Sequence, residues 1–349
     1  MRFALCTVFI LPLLVAISSV AFASDIGFAK FSLVANGPDQ RDLSGVIWYP
    51  SRDDTAEETI AENIVFHGQK ARPGATPLPG SYPLVVLSHG FGGNWRNQAW
   101  LATELVRHGR IVAALNHPGT TSKDLQALDG RMLWKRPQDI AQLITYLTGH
   151  SDWSSLLRTN DIAVIGHSLG AWTALAIAGA RTDARRMLAD CRNHADLAAC
   201  DVVADFAIGH SKTDQQLLAQ SLRIANVSRV VSLDLGLARG FTPESLSKID
   251  IPVLLIAAGS PNPGIPHAIE TGYLRPYLNA ASTEFHLIEQ AAHFSFMPRC
   301  KPGAARLLDD EVPGDGVVCC DGDGTPEGTR QIIHHQTARL IIDFLDRTH

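Results

Sequence analysis

The stretch Ile-Ala-Val-Ile-Gly-His-Ser-Leu-Gly-Ala at residues 162–171 decides the fold of this 349-residue chain. Its first four residues are apolar and typical of a buried strand, and residues 166–170 then form a Gly-x-Ser-x-Gly motif. An alanine-rich run continues to residue 180 and predicts a helix. Between a strand and a helix, this motif makes a sharp turn that presents its serine at the carboxyl edge of a parallel sheet. The stretch therefore predicts an α/β sheet with Ser168 at its edge.

Strand-like and helix-like segments alternate on both sides of this turn, from about residue 80 onward. Such alternation predicts a mostly parallel central sheet with helices on both faces. Two earlier strands are expected to pair as an antiparallel hairpin, and residues 51–81, rich in proline and glycine, to form a surface connection. The predicted strands are Phe28–Val34, Leu43–Tyr49, Leu84–Ser88, Ile111–Leu115, Ile162–Ile165, Arg229–Leu233, Val253–Ala258 and Glu284–Ile288. The predicted helices span residues 94–108, 137–147, 171–180 and 329–347.

Two insertions interrupt the alternation. Residues 181–228 carry apolar residues at helical spacing and are predicted to form a small helical cap, tied by a Cys191–Cys200 disulfide. Residues 298–328 are predicted to form a disulfide-tied loop, in which Cys300 pairs with either Cys319 or Cys320. The acidic residues of this loop resemble part of a calcium site, but the full twelve-residue spacing is absent, which favours a solvated loop.

The amino terminus has the pattern of a signal peptide. A basic residue precedes an apolar run, and Ala21-Phe22-Ala23 supplies the small-x-small pattern that a signal peptidase recognises. We expect residues 1–23 to be removed, leaving residues 24–349 as a secreted or periplasmic domain. A retained membrane anchor is disfavoured because the apolar run is short and no stop-transfer charges follow it. Disulfides would also be stable in such an oxidising compartment.

The composition limits the class of protein. Hydrophobic residues make up 46% and charged residues 19% of the chain, which suits a large core and excludes general disorder. The net charge of −5 gives no basic footprint for a nucleic-acid partner. No four-ligand cluster of histidine and cysteine has the spacing of a zinc site. We therefore expect neither a metal nor an organic cofactor.

A serine nucleophile needs a histidine base and an orienting acid, which follow it in that order along the chain in this type of sheet. His293 lies just after the last predicted strand, where a base is expected. No carboxylate follows the strand Val253–Ala258, whereas Asp234 ends the preceding strand, so Asp234 is the predicted acid. Glu270 and Glu289 are weaker candidates. Asp234 as a helix cap is the alternative, and it would leave His293 without an orienting partner.

The third part of the predicted site is an oxyanion hole, a pair of backbone N–H groups that stabilises negative charge on the substrate oxygen. The sequence His-Gly-Phe-Gly-Gly at residues 89–93 ends a predicted strand, and its glycines permit the required backbone geometry. The predicted donors are the N–H of Phe91 and the N–H of Leu169, which follows the serine.

Four motifs together carry a resemblance to known proteins: residues 88–93 (SHGFGG), 116–120 (NHPGT), 133–139 (LWKRPQD) and 166–170. This pattern resembles bacterial proteins labelled predicted dienelactone hydrolases, of the α/β-hydrolase superfamily, and in turn platelet-activating factor acetylhydrolase. The resemblance implies the α/β-hydrolase fold, with Asp234 as acid, His293 as base, and Phe91 and Leu169 at the oxyanion hole. Ser168 departs from the cysteine nucleophile of true dienelactone hydrolases, and the cap has no counterpart in the lipid enzymes.

These observations predict a serine esterase that cleaves short-chain or lipid-like carboxylic esters through an acyl-enzyme, with Ser168, Asp234 and His293 as its triad. The expected partner is a small-molecule ester, with transient contact to lipid compatible with the resemblance. An amidase or peptidase on the same triad and a catalytically silent binding protein are the alternatives. The sequence leaves the natural substrate and the oligomeric state open.

Overall fold

A ten-stranded sheet forms the centre of the computed structural model, which describes residues 25–37, 40–260, 264–322 and 329–347. The strands are β1 (Asp25–Leu33), β2 (Leu43–Ser51), β3 (Glu58–Ile60), β4 (Gln69–Pro73), β5 (Tyr82–Ser88), β6 (Ile111–Leu115), β7 (Thr120–Thr121), β8 (Asp124–Leu125), β9 (Leu157–His167), β10 (Val227–Leu233), β11 (Val253–Ala258) and β12 (Thr283–Ile288). Their order in the large sheet is β12-β11-β10-β9-β5-β6-β2-β1-β4-β3, while β7 and β8 form a separate ribbon. The observed strands β6 and β11 begin and end at the residues predicted from the sequence.

The strands β5, β6 and β9 to β12 run parallel, so their carboxyl ends meet at one edge of the sheet. β2 pairs antiparallel with both β6 and β1, which confirms the predicted hairpin. Treating residues 51–81 as a surface connection was wrong in part, because β3 and β4 lie there and extend the sheet beyond β1. These strands are only three and five residues long. Arg72 of β4 forms ion pairs with Asp25 at 2.8 Å and with Asp53 at 2.6 Å.

Helices cover both faces of the sheet, which confirms the predicted fold class. One face packs against α3 and α5, and the other packs against α1 and α12. All ten residues of α5 are buried, as expected for a helix that is apolar on every side. The helices are α1 (Ala99–Arg107), α2 (Ala127–Gly130), α3 (Lys135–Gly149), α4 (Ser151–Ser154), α5 (Leu169–Ala178), α6 (Ala184–Asn193), α7 (Ala198–Asp205), α8 (Lys212–Ala219), α9 (Pro243–Leu246), α10 (Thr271–Leu274), α11 (Ala304–Glu311) and α12 (Arg330–Leu345).

The two insertions contain short helices and one disulfide each. The helices α6, α7 and α8 occupy the stretch predicted as a cap, and Cys191 is bonded to Cys200. In the second insertion Cys300 is bonded to Cys319, and Cys320 is free. The structure thus resolves the pairing that the sequence left open.

Some sequence predictions concern residues outside the described ranges. The predicted signal peptide, residues 1–23, lies entirely outside them, as do residues 323–328 of the acidic loop. Within the described part of this loop, Asp321 accepts hydrogen bonds from Arg330 at 3.0 Å and from Ser295 at 2.6 Å. Among the described helices, none has the length and apolar character needed to span a membrane.

Candidate active site

Ser168 occupies the turn between β9 and α5 in a backbone conformation that non-glycine residues rarely adopt, with φ 55° and ψ −120°. Such a conformation costs about 1–3 kcal/mol and persists only where the surroundings enforce it. Two glycines make the turn possible: a Cβ on Gly166 would lie 1.9 Å from the Gly170 carbonyl oxygen, and a Cβ on Gly170 would lie 1.9 Å from the Ser88 carbonyl oxygen. The Ser168 N–H also donates to the Leu233 carbonyl at 2.9 Å. The turn is therefore locked between β5 and β10.

Asp234 and His293 are in direct contact at the same edge of the sheet. Asp234 follows β10 and His293 follows β12 after a short loop, and the Asp234 Oδ2 lies 2.6 Å from the His293 Nδ1. The other carboxylate oxygen accepts the Ala258 N–H at 2.9 Å, which fixes the rotation of the carboxylate. Both side chains are buried. Because an ionised carboxylate only accepts hydrogen bonds, the imidazole carries its proton on Nδ1 and keeps the Nε2 lone pair free to accept one.

The two weaker candidates for the acid lie elsewhere. Glu270 is buried, but its Oε2 accepts the Ala238 N–H at 2.8 Å. Burial raises the pKa of Glu270 to about 7. Glu289 is exposed after β12. Neither has a hydrogen bond to His293 among the described residues, whereas Asp234 does.

His167 has a role that the sequence did not reveal. Its Nε2–H donates to the His293 carbonyl at 2.9 Å, and its ring lies 4.7 Å from the His293 ring. Burial lowers the pKa of His167 well below its ordinary value, so the ring is neutral. The only sequence signal for this role was a polar residue at the buried end of an apolar strand. His167 thus holds the loop that carries His293.

The loop after β5 lies against Ser168. A Cβ built on Gly90 would be 3.1 Å from the Ser168 Cβ and 3.6 Å from its Oγ. The Gly90 carbonyl accepts the His89 Nδ1–H at 2.7 Å and the Gly93 N–H at 3.1 Å. In a trans peptide the N–H points away from the carbonyl of the same unit, so these two bonds also set the direction of the Phe91 N–H.

Two backbone N–H groups near Ser168 are available to a ligand. Within the described ranges, neither the Phe91 N–H nor the Leu169 N–H has a protein acceptor. Leu169 begins α5, and the first N–H groups of a helix have no acceptor within that helix. The positive end of the helix dipole adds to their attraction for negative charge. The two groups predicted as oxyanion donors therefore both lack a protein acceptor among the described residues.

A chain of hydrogen bonds joins Ser88, His117 and Asp139 beneath this loop. The Ser88 Oγ is 3.0 Å from the His117 Nε2, and the His117 Nδ1 is 2.8 Å from the Asp139 Oδ2. All three residues are fully buried, so no substrate reaches Ser88. The motifs that contain His117 and Asp139 carry the family resemblance, and the sequence predicted no function for either residue.

The insertion with α6 to α8 contacts both sides of the site. Phe206, which follows α7, packs edge-on against Phe91 with ring centroids 5.1 Å apart. Arg239, in the segment after Asp234, pairs with Asp190 of α6 at 2.7 Å. This insertion therefore lies beside the loop that carries Phe91 and beside the segment that carries the acid.

The functional groups of the site suit the transfer of an acyl group. It combines the Ser168 hydroxyl, an imidazole hydrogen-bonded to a carboxylate, and two N–H groups without a protein acceptor in the described part of the chain. In the described ranges, no group of three histidine, cysteine, aspartate or glutamate side chains is arranged to hold a metal ion.

Comparison with known proteins supports the fold described above. The chain is similar to a ferulic acid esterase from Streptomyces cinnamoneus, at 19% identity and a TM-score of 0.63, over 95% of this chain and 92% of that protein. No match was found among curated proteins. The model of the alpha/beta hydrolase family matches residues 85–306, which is more than half of the chain. The chain belongs to the alpha/beta hydrolase family.

Proposed function

We propose that this protein is a serine esterase, with Ser168 as the nucleophile, His293 as the general base and Asp234 as the orienting acid. The observation that carries the proposal is the 2.6 Å contact between Asp234 and His293, at the sheet edge where the Ser168 turn lies. In this fold the edge at the carboxyl ends of parallel strands is where such groups act.

The first half of the reaction forms an acyl-enzyme. The Ser168 Oγ attacks the ester carbonyl while the His293 Nε2 takes the hydroxyl proton, and the carbonyl oxygen becomes an oxyanion. The N–H groups of Phe91 and Leu169 stabilise this charge. The intermediate then collapses: the bond between the carbonyl carbon and the alcohol oxygen breaks, and His293 gives its proton to the departing alcohol.

In the second half of the reaction, water hydrolyses the acyl-enzyme with the help of the same groups. His293 takes a proton from a water molecule, whose oxygen attacks the acyl carbon, and the oxyanion forms again at the same two N–H groups. The bond to the Ser168 Oγ breaks as His293 returns the proton to it. Asp234 stays ionised throughout and stabilises the charged imidazole.

Three observations support the proposed substrate class. The position of Asp234 after β10, rather than after β11, agrees with the acetylhydrolase resemblance and supports a short-chain or lipid-like acyl ester. The name of the similar Streptomyces protein also points to ester chemistry. Phe91 and Phe206 are apolar groups beside the site and suit an apolar acyl chain.

Export is a separate part of the proposal. The apolar amino terminus suggests a signal peptide, and the two disulfides suit an oxidising compartment. The mature protein would then act outside the cytoplasm. Mass spectrometry of exported protein tests this, with an amino terminus at Ser24 expected and one at Met1 contradicting it.

The test of the activity is hydrolysis of p-nitrophenyl acetate, butyrate and octanoate, with a matched anilide for amide cleavage. We expect ester turnover that disappears in Ser168→Ala and is unchanged in Ser247→Ala, a control at an exposed serine. Faster cleavage of the anilide would favour the amidase alternative. No turnover from the wild-type protein would favour a silent binding protein.

A further inference from the structure

The guanidinium of Arg136 lies buried behind the Ser168 site. This residue is on α3 and only 1% of its surface is exposed. It donates hydrogen bonds to the His89 carbonyl, to the Thr120 Oγ1 at 2.6 Å, to the Thr173 Oγ1 at 3.0 Å and to the Ser88 Oγ at 3.3 Å. Each of its three nitrogens thus has a protein acceptor, and one side chain joins three separate segments.

Those segments carry the two N–H groups proposed to hold the oxyanion. Ser88 and His89 lead directly into the loop that presents the Phe91 N–H. The loop of Thr120 supports the same turn, because the Thr120 carbonyl accepts the Gly92 N–H at 3.0 Å. Thr173 lies one turn into α5, and its hydroxyl donates to the Leu169 carbonyl at 3.1 Å.

The two histidines of this region are neutral donors and acceptors. The His89 Nδ1–H donates to the Gly90 carbonyl, so the His89 Nε2 must accept the His117 N–H, at 3.0 Å. The His117 Nδ1–H donates to Asp139, so its Nε2 accepts the Ser88 hydroxyl proton. Burial and the nearby Arg136 lower the pKa of both rings well below the ordinary value.

The cluster carries excess positive charge. Asp139 accepts bonds from Arg41 at 3.1 and 2.5 Å, and Arg136 is the second guanidinium nearby. Burial lowers the pKa of Arg136 to about 9 and raises the pKa of Asp139 to about 6, so both are ionised between these values. Within this hydrogen-bonded network, two guanidinium groups face one carboxylate, so the network has a net positive charge next to the loop that presents the Phe91 N–H. A fixed charge in a low-dielectric interior acts more strongly than in water.

We propose that Arg136 is a positioning residue for the oxyanion hole. It fixes the relative placement of the Phe91 and Leu169 N–H groups, and its charge lowers the energy of the oxyanion formed there. The inference rests on the proposed esterase function. A purely structural role of Arg136 would affect folding and stability. The proposed role stabilises the transition state, so its loss should lower kcat.

The test uses Arg136→Met, which keeps about the length of the side chain without charge or donors, and Arg136→Lys, which keeps the charge but has donors on a single nitrogen instead of three. With p-nitrophenyl butyrate we expect kcat to fall about 10²-fold in the methionine variant, the loss typical of one oxyanion donor. KM should stay within about threefold of wild type, and lysine should recover part of kcat. The Ki of a phenylboronic acid, whose serine adduct is a tetrahedral anion, should rise in parallel with the loss of kcat/KM.

Further variants keep the test decisive if the Arg136 variants fail to fold. Thr173→Val removes the acceptor of the Arg136 Nε and should lower kcat about fivefold to tenfold. Thr145→Val, on the exposed face of α3, is the matched control and should leave kcat unchanged.

The outcomes separate this inference from the function on which it rests. A folded Arg136→Met variant with kcat within threefold of wild type would overturn the inference alone. If Arg136 variants do not fold, unchanged kcat in Thr173→Val overturns it. Absence of Ser168-dependent turnover in the wild-type protein would refute the proposed function, and the inference with it.

Discussion

Replacing Asp234 by asparagine should abolish the base function of His293 while leaving the fold intact. One carboxylate oxygen accepts the Ala258 N–H at 2.9 Å, and this donor belongs to the strand β11 and cannot turn away. The asparagine oxygen must therefore face Ala258, which points its NH2 group at the His293 Nδ1. The imidazole must then accept there and carry its proton on Nε2, so it cannot take the proton of Ser168.

The size of the effect follows from this change of tautomer. A Ser–His–Asp site held in the wrong tautomer loses about 10⁴-fold in kcat. This corresponds to about 5.5 kcal/mol of transition-state stabilisation. Substrate binding does not require the Nε2 lone pair, so KM should change little.

The assay is initial-rate hydrolysis of p-nitrophenyl butyrate by wild type, Asp234→Asn and Glu289→Gln. The last variant is the control, because Glu289 is an exposed carboxylate after β12. We expect the control to match wild type and the asparagine variant to unfold at a similar temperature. An asparagine variant that keeps more than a tenth of wild-type kcat would refute the assignment of Asp234 and the tautomer argument.

The remaining predictions concern stability. Gly170→Ala would place a Cβ 1.9 Å from the Ser88 carbonyl oxygen and should lower the free energy of unfolding by about 3 kcal/mol, measured in urea. Loss of the disulfide in a Cys191→Ala, Cys200→Ala double variant should cost about 2.5 kcal/mol, because the bond closes a loop with a sequence separation of 9. Burial raises the pKa of Glu270 from 4.5 to about 7, so its contribution to stability is present at low pH and is lost as the pH rises through that range. Glu270→Gln should therefore reduce the decline in unfolding free energy between about pH 5 and pH 8, by up to about 3 kcal/mol.

Each of these expectations has a contrary result. Wild-type stability in Gly170→Ala would mean that the turn adjusts without cost to β5. An unchanged unfolding free energy in the cysteine double variant would mean that the unfolded chain is not restricted by the bond. A decline with pH as steep in Glu270→Gln as in wild type would assign the titration to other groups.

Much of the fold was predictable because its signals are local. The strands β6 and β11 are short apolar runs, bounded by Arg110 and Asn116 in β6 and by Pro252 and Gly259 in β11, and their bounds were predicted correctly. The Gly166 and Gly170 positions required a sharp turn at Ser168, and the structure has one there. The alternation of strands and helices then implied the parallel sheet.

The features that sequence reasoning missed depend on contacts between distant residues. β3 and β4 have too few residues to show a period, and β4 is placed by the Arg72 ion pairs with Asp25 and Asp53. The choice between Cys319 and Cys320 depends on which thiol faces Cys300 in the folded chain, and composition does not encode this.

The candidate site also contains residues that the sequence predicts and residues that only the folded chain reveals. Ser168, Asp234 and His293 were placed by chain order and strand ends, and the contact between Asp234 and His293 agrees with that placement. Their catalytic roles stay predictions. The buried network around Arg136 could not be predicted, because its partners come from three separate segments and only the folded chain shows which polar groups meet.

The most direct test of the central claim is to react the protein with a fluorophosphonate and locate the adduct by peptide mass spectrometry. Among the described residues, two serines lie near a His–Asp pair: Ser168 at the sheet edge that also carries Asp234 and His293, and the buried Ser88, which contacts His117. We predict a stoichiometric adduct on Ser168, none on Ser88, and loss of labelling in Ser168→Ala. An adduct on another residue, or no adduct on the folded wild-type protein, would contradict the assignment of Ser168 as nucleophile.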